Sequence, residues 1–382
     1  MTTSTIRAGR GEAGFSLIEL IVGMGILTII MGVALGGLAD AMKANESVLQ
    51  VTGMNNTLRA GMDIMVRDLL QVGSGLPPGH VIAIPFGSGS QKINIPGPPG
   101  TAFTNNPSQD NLDAEEPTDD GGDTDIAAVV PGPGKGPTIN GVKTDTITVL
   151  TEDNNLTDIK TTAVTNTSVT LSTLDADGNP LNIATGPDRV TAGQLMMIEK
   201  GSYTTLVQVT AVNTSTRVLT FGSDSLNLNQ TVASGTLRAL NAAPPANSPA
   251  NTKVTRIRMI SYYLDTTSGD RPRLVRRINN GDPVKFDNTL GTAVALDVEN
   301  LTFSYDLDNA DNTTNVRFED ADFTASGACA PEPCELNQIR KVNITLMGRS
   351  SNQVRQVHRN TLTSQVSLRG MAFVDEYKAP KP

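Results

Sequence analysis

An unbroken apolar run from Phe15 to Leu38 constrains this chain more than any other feature, because its 24 positions hold a single charge, Glu19. As a helix rising 1.5 Å per residue the run covers roughly 35 Å, enough to cross a bilayer core of about 30 Å with some tilt. Arg7 and Arg10 stand in front of it. The positive-inside bias therefore predicts a cytoplasmic amino terminus and a body on the other side of the membrane.

Three readings of this segment compete. A secretory signal peptide would use an apolar core of about 7–15 residues, and Ala39-Asp40-Ala41 offers a small-x-small cut site. The run is too long for that, and Glu19 interrupts its most apolar part. A plain anchor fits the length but leaves Glu19 unexplained, since an acid near the bilayer interior costs about 2.5–3.5 kcal/mol on insertion scales. The third reading gives the acid a purpose. Cleavage after Gly14 would place a new amino terminus on Phe15, with Glu19 one helical turn along. In a low-dielectric setting its carboxylate can pair with the α-amine of a neighbouring subunit.

Gly14 followed by Phe15-Ser16-Leu17-Ile18-Glu19 and the apolar stretch resembles the class III prepilin signature of the type IV filament family. The resemblance implies a prepilin peptidase that cuts after Gly14 and methylates the amine of Phe15. It also implies that Glu19 guides docking into a growing filament. The partners that follow are the peptidase, other pilins or minor pilins met through the N-terminal helix, and the inner membrane before assembly. The destination is a periplasmic or cell-surface filament.

Past Asp40 the helical period persists. Val51, Met54, Leu58, Met62, Met65, Leu69 and Val72 form an apolar stripe on one face, with Asp63 and Arg67 off it at i,i+4. Gly73-Ser74-Gly75-Leu76-Pro77-Pro78 ends the pattern. One helix from Phe15 to Val72 would be roughly 85 Å long. The apolar half suits packing among other helices, and the striped half suits docking onto a sheet. Gly23, Gly25, Gly32, Gly36 and Gly37 lower helix propensity in the apolar half and permit close packing or local unwinding.

The expected organisation is a leader over 1–14, the helix over 15–75, a Pro/Gly-rich and then acidic loop over 76–125, a first β region over 126–243, a linker over 244–253, a second β region over 254–370 and a tail over 371–382. The fold class is α+β, with the long helix packed on an antiparallel β-rich head. Alternation marks strands at Asp145–Leu150, Ser168–Leu174, Val254–Leu264, Arg273–Arg277, Val298–Tyr305 and Ile339–Met347. Within these, Ser261-Tyr262-Tyr263-Leu264-Asp265 ahead of Pro272-Arg273-Leu274-Val275-Arg276, and Val298-Glu299-Asn300-Leu301-Thr302-Phe303-Ser304-Tyr305 ahead of Ile339–Leu346, look like the PilW-type minor pilins and the related J-type pseudopilins of type II secretion. That likeness implies a scarce subunit that primes a filament at its tip.

A net charge of -9 argues against general affinity for nucleic acid. Arg256, Arg258, Arg271, Arg273, Arg276 and Arg277 form a basic run, read either as a contact for DNA or an acidic subunit, or as a solvated strand face. Cys329 and Cys334 are the only cysteines, and outside the cytoplasm they are expected to close a local disulfide. Two calcium echoes are weak. Asp119–Asp125 does not have EF-hand spacing, and Asp306, Asp308 and Asp311 lack that loop's glycine and terminal glutamate. No Ser-His-Asp set, P-loop or strand-borne Gly-x-Gly-x-x-Gly is present, so the chain reads as a structural protein without a cofactor. The reading from another class is a membrane-tethered β-rich adhesin or sugar-active protein that keeps its anchor.

Overall fold

The computed structural model describes residues 14, 16–77, 79, 81–84, 93–98, 124–229, 235–267, 271–279, 291–309, 311–323, 326–350 and 357–371. Contacts divide the chain into two units, Met1–Gly53 and Met54–Pro382. One helix, α1 (Leu17–Leu69), begins in the first and ends in the second.

In the first unit the helix has no buried residue; Leu17 is 77% and Val33 73% exposed. The only hydroxyl between Leu17 and Leu38, on Thr28, donates to the carbonyl of Met24 at 2.7 Å, so this stretch leaves no side-chain donor for lipid to desolvate. The helix runs without a break through Ala39-Asp40-Ala41, the site a signal peptidase would need.

The second unit is β-rich. Its strands are β1 (Val81–Ile84), β2 (Thr124–Ala127), β3 (Val129–Gly132), β4 (Thr138–Ile139), β5 (Val142–Lys143), β6 (Thr146–Glu152), β7 (Ile159–Val164), β8 (Ser168–Leu171), β9 (Leu195–Lys200), β10 (Tyr203–Gln208), β11 (Ala211–Asn213) and β12 (Val218–Thr220). A short helix, α2 (Arg238–Ala242), precedes β13 (Thr252–Asp265), β14 (Arg273–Ile278), β15 (Thr292–Leu296), β16 (Val298–Leu307), β17 (Ile339–Arg349) and β18 (Arg359–Ser367). All pairings among them are antiparallel.

The strand β13 is the spine. Its first half lies between β9, through Thr252↔Lys200 to Ile257↔Leu195, and the start of β7. Its second half lies between β6, through Ile257↔Glu152 to Tyr262↔Ile147, and β14. Both of its faces are buried, so the polar members of its alternating sequence, Thr255, Arg256 and Ser261 among them, are buried along with Val254, Ile257 and Tyr262. The remaining long strands form a separate sheet in the order β16-β17-β18.

The last turns of α1 supply the stripe that the spacing predicts. Met54, Leu58, Met62, Met65 and Leu69 are buried, as is Val72 just beyond the helix, whereas Asp63 and Arg67 face out. The helix crosses the strands instead of running along them. Asn360 of β18 donates to Asn55 at 2.6 Å, and a Cβ on Gly348 of β17 would stand 2.8 Å from Leu58. Further along, Gly61 lies against Ala295 of β15 and Leu274 of β14, and Asp68 reaches β13 and β14. The chain leaves the helix through i→i+3 bonds to Leu69 and Asp68, after which the N–H of Gly73 donates to Leu150 of β6. Gly73 and Gly75 both have left-handed φ, and a Cβ on Gly75 would collide with Glu152. The glycines thus turn the chain off the helix against β6.

Candidate functional site

The amino-terminal segment starts with a reciprocal cap. The N–H of Ser16 donates to the Glu19 carboxylate at 3.1 Å, and the N–H of Glu19 donates to the Ser16 hydroxyl at 3.3 Å. This is the capping box that Ser-x-x-Glu spacing encodes, and it fixes the helix start at Leu17. Gly14 lies outside the helix and is exposed. Phe15 and the leader over 1–13 lie outside the described residues. Glu19 therefore sits in the first helical turn, where the orphan N–H groups and the helix dipole favour a negative charge. Glu19 stands out as the one acid of the apolar run, and Ser16 three residues ahead is the sequence signal of its cap.

The second constellation went unremarked in the sequence. Asp68, on the buried side of α1, accepts from the Tyr262 hydroxyl at 2.5 Å and from Arg276 Nε at 2.5 Å, while Arg276 Nη2 reaches its other oxygen at 3.1 Å. Burial pushes the Tyr262 phenol far above its ordinary range, and the Asp68 charge adds to that, so the tyrosine stays a donor. Burial works against the Arg276 charge too, yet the bonds and charge of Asp68 outweigh it and raise its pKa. A bidentate arginine with a phenol on the same carboxylate saturates that acid, which makes its burial tolerable. The signal was available: Asp68 stands three residues after Met65, in phase with the stripe, where a solvated acid does not belong.

Most of the basic run is buried or half-buried, and of its six arginines only Arg271 is exposed. Arg256 is buried, bonded to Asp153 at 2.9 Å and to the carbonyls of Pro187 and Arg189. Arg273 pairs with fully buried Asp265 at 2.7 Å, Arg271 with Asp297 at 3.3 Å, and Arg276 with Asp68. Four of the six, Arg256, Arg271, Arg273 and Arg276, are thus held by named carboxylates, which fits neither a row of free cations nor a wholly solvated strand face.

Cys329 and Cys334 are joined, with both side chains buried. The three candidate calcium ligands do not converge. Asp306 accepts from Asn343 at 2.9 Å and Gln365 at 3.0 Å across the outer face of β17 and β18. Asp308 lies 3.5 Å from Arg340, and Asp311 sits in the turn that follows. Among the described residues no three His, Cys, Asp or Glu side chains are grouped as metal ligands. The acidic residues from Asp110 to Asp123 lie outside the described residues, and so does His80.

Among known families, residues 9–35 match the one described as the prokaryotic N-terminal methylation motif. No curated protein matches the chain, and no solved structure does. The match covers Gly14, Phe15, Glu19 and most of the apolar run. Such a motif implies processing by a prepilin peptidase and pilin-type assembly, and the apolar helix behind it is consistent with anchoring in the inner membrane before assembly. The chain is thus pilin-like: it joins the methylation motif typical of type IV pilins and pseudopilins to a long helix packed on an antiparallel β-rich head.

Proposed function

We propose that this chain is a minor pilin of PilW type that primes or caps assembly of a type IV pilus. In this reading the peptidase cuts after Gly14 and methylates Phe15. Glu19 then docks the subunit by pairing with the amine of a neighbour. The observation that carries the proposal is the contrast within one helix. Residues 17–53 bury nothing in the chain itself, although they hold a stretch long and apolar enough to cross a membrane, so their packing partners lie outside the chain. Membrane lipid supplies such a partner first, and neighbouring helices supply it in a filament. An acid at the start of such a helix needs a polar partner when it leaves water, and an adjacent subunit's amine provides one. No enzymatic role enters; the chemistry is done on this chain by the peptidase.

The measurement that tests the reading is the mass of the mature amino terminus together with the fate of Glu19→Leu. A chain that begins at N-methylated Phe15, and a Glu19→Leu variant that is cleaved yet missing from sheared filaments, are expected. A mature chain beginning at Met42, or normal incorporation of Glu19→Leu, overturns it. The J-type pseudopilin of type II secretion uses the same helix, and the composition of the filament that retains the subunit distinguishes the two.

A further inference from the structure

Among the described residues, the sheet β16-β17-β18 is closed on one edge and open on the other. On the outer side of β16 the Asp145 carboxylate accepts the N–H of Phe303, the carbonyl of Leu301 accepts from the N–H of Asp145, and the segment over 313–316 bonds Tyr305 and Leu307. On β18 the alternation can be read from its ends. The N–H of Leu368 donates to Arg340, and the carbonyl of His358 accepts from Ser350. Those two bonds fix the even positions as the ones that turn their backbone groups toward β17. Arg359, Thr361, Thr363, Gln365 and Ser367 then turn theirs away. Of these N–H groups only that of Thr361 has a described partner, the side chain of Asn360 at 2.9 Å.

An edge of nine residues with this much backbone unpaired among the described residues is a template for strand addition unless it is protected. Proline, a bulge, lysines and inward-pointing charges are the usual protections, and β18 has none of them. Its one charge is Arg359, at the first position. That end of the sheet is cationic. A bulge between Val298 and Asn300 turns the Glu299 carboxylate onto Arg349 at 3.3 Å and Arg359 at 2.6 Å, leaving two guanidinium groups on one acid. Arg359 remains half exposed, at 51%.

We propose that the β18 edge is a docking site for an extended, acid-ended segment of another protein, which adds as an antiparallel strand and places its acidic carboxyl-terminal end against Arg359. Backbone bonds at Thr363, Gln365 and Ser367 supply the affinity, and Arg359 sets direction and charge preference. The site does not depend on the pilin reading, since it belongs to the β-rich head.

The test uses the full chain in detergent micelles and a fluorescent ten-residue peptide of alternating valine and threonine that ends in two glutamates. Fluorescence anisotropy should show saturable binding. Ending the peptide in two lysines should weaken it about fivefold or more, as expected for loss of charge complementarity. Methylating the peptide nitrogens at alternate residues should abolish binding without touching the protein. Thr363→Pro, which removes an N–H that faces away from β17, should weaken binding about tenfold or more at an unchanged unfolding midpoint. No binding, or binding that survives peptide N-methylation, overturns the proposal. Equal affinity for the lysine-ended peptide overturns the charge assignment. Concentration-dependent self-association that Thr363→Pro removes would instead identify a second copy as the occupant and overturn the acid-ended partner.

Discussion

The two parts of α1 share leucine, methionine, valine and glycine and yet stand in opposite environments. From Leu17 to Gly53 nothing is buried, and a Cβ added at Gly36 or Gly37 would meet nothing within 4 Å. From Met54 to Leu69 the helix is packed tightly enough that a Cβ on Gly61 would come within 2.9 Å of Ala295. The comparison teaches that apolar character alone does not determine what a helix packs on. As far as Leu38 the first part is apolar all round, which suits many partners, whereas the second is apolar on one stripe and fits a single sheet.

The comparison can be broken most severely at its two acids. Asp68→Ala leaves Arg276 and the Tyr262 hydroxyl buried without their acceptor, and is expected to destabilise the head by about 3–5 kcal/mol in urea unfolding. Glu19→Leu, by contrast, should leave head stability unchanged within about 0.5 kcal/mol while affecting assembly. If both variants unfold at the same denaturant concentration, the division of labour along the helix is wrong.

Glycines give the next largest effect. Gly61→Ala is expected to cost about 1–3 kcal/mol by overpacking against Ala295 and Leu274. Gly37→Ala faces open space and should raise helix content slightly, worth up to about 1 kcal/mol of propensity. Circular dichroism and thermal unfolding of the two variants side by side check the opposite signs.

Acid sharpens the contrast within the head. Burial raises the pKa of Glu299, but its bonds to Arg359 and Asn140 and the charge of Arg349 outweigh that and hold it below the ordinary carboxylate value; Asp265 is lowered likewise by Thr267 and Arg273 against burial. A folded pKa below the unfolded one contributes stability that is complete above the ordinary carboxylate range and is lost as pH falls through the folded value. The head should therefore lose stability below about pH 4.5, and Glu299→Gln should flatten that part of the curve. Chemical unfolding measured across this range decides it.

The smallest expected effect has the other sign. Burial, and then the neighbouring Asp158 charge, raise the Glu199 carboxyl, so its ionised form opposes folding. Glu199→Gln should stabilise the head at neutral pH by a few tenths of a kcal/mol, about the limit of an ordinary surface change. A destabilised variant would mean that Lys253, which lowers this carboxyl, dominates the site.

The sequence by itself determined the features that depend on local periodicity and on residues near one another in the chain. The run from Phe15 to Leu38, the stripe from Met54 to Val72 and the alternation of β13, β16 and β17 can all be read from spacing, because helix and strand periods are backbone properties; the helix itself ends at Leu69, ahead of the expected stop at Gly73. The cap between Ser16 and Glu19 was equally legible, since it spans three residues. Only the tertiary structure decided that β13 joins strands from both β regions, that Asp68 meets Tyr262 and Arg276 across 194 and 208 residues of chain, and that the arginines of β13 and β14 are sorted onto separate acids. Those contacts are fixed by register and by which faces the sheets bury, and neither is a property of any short stretch of chain.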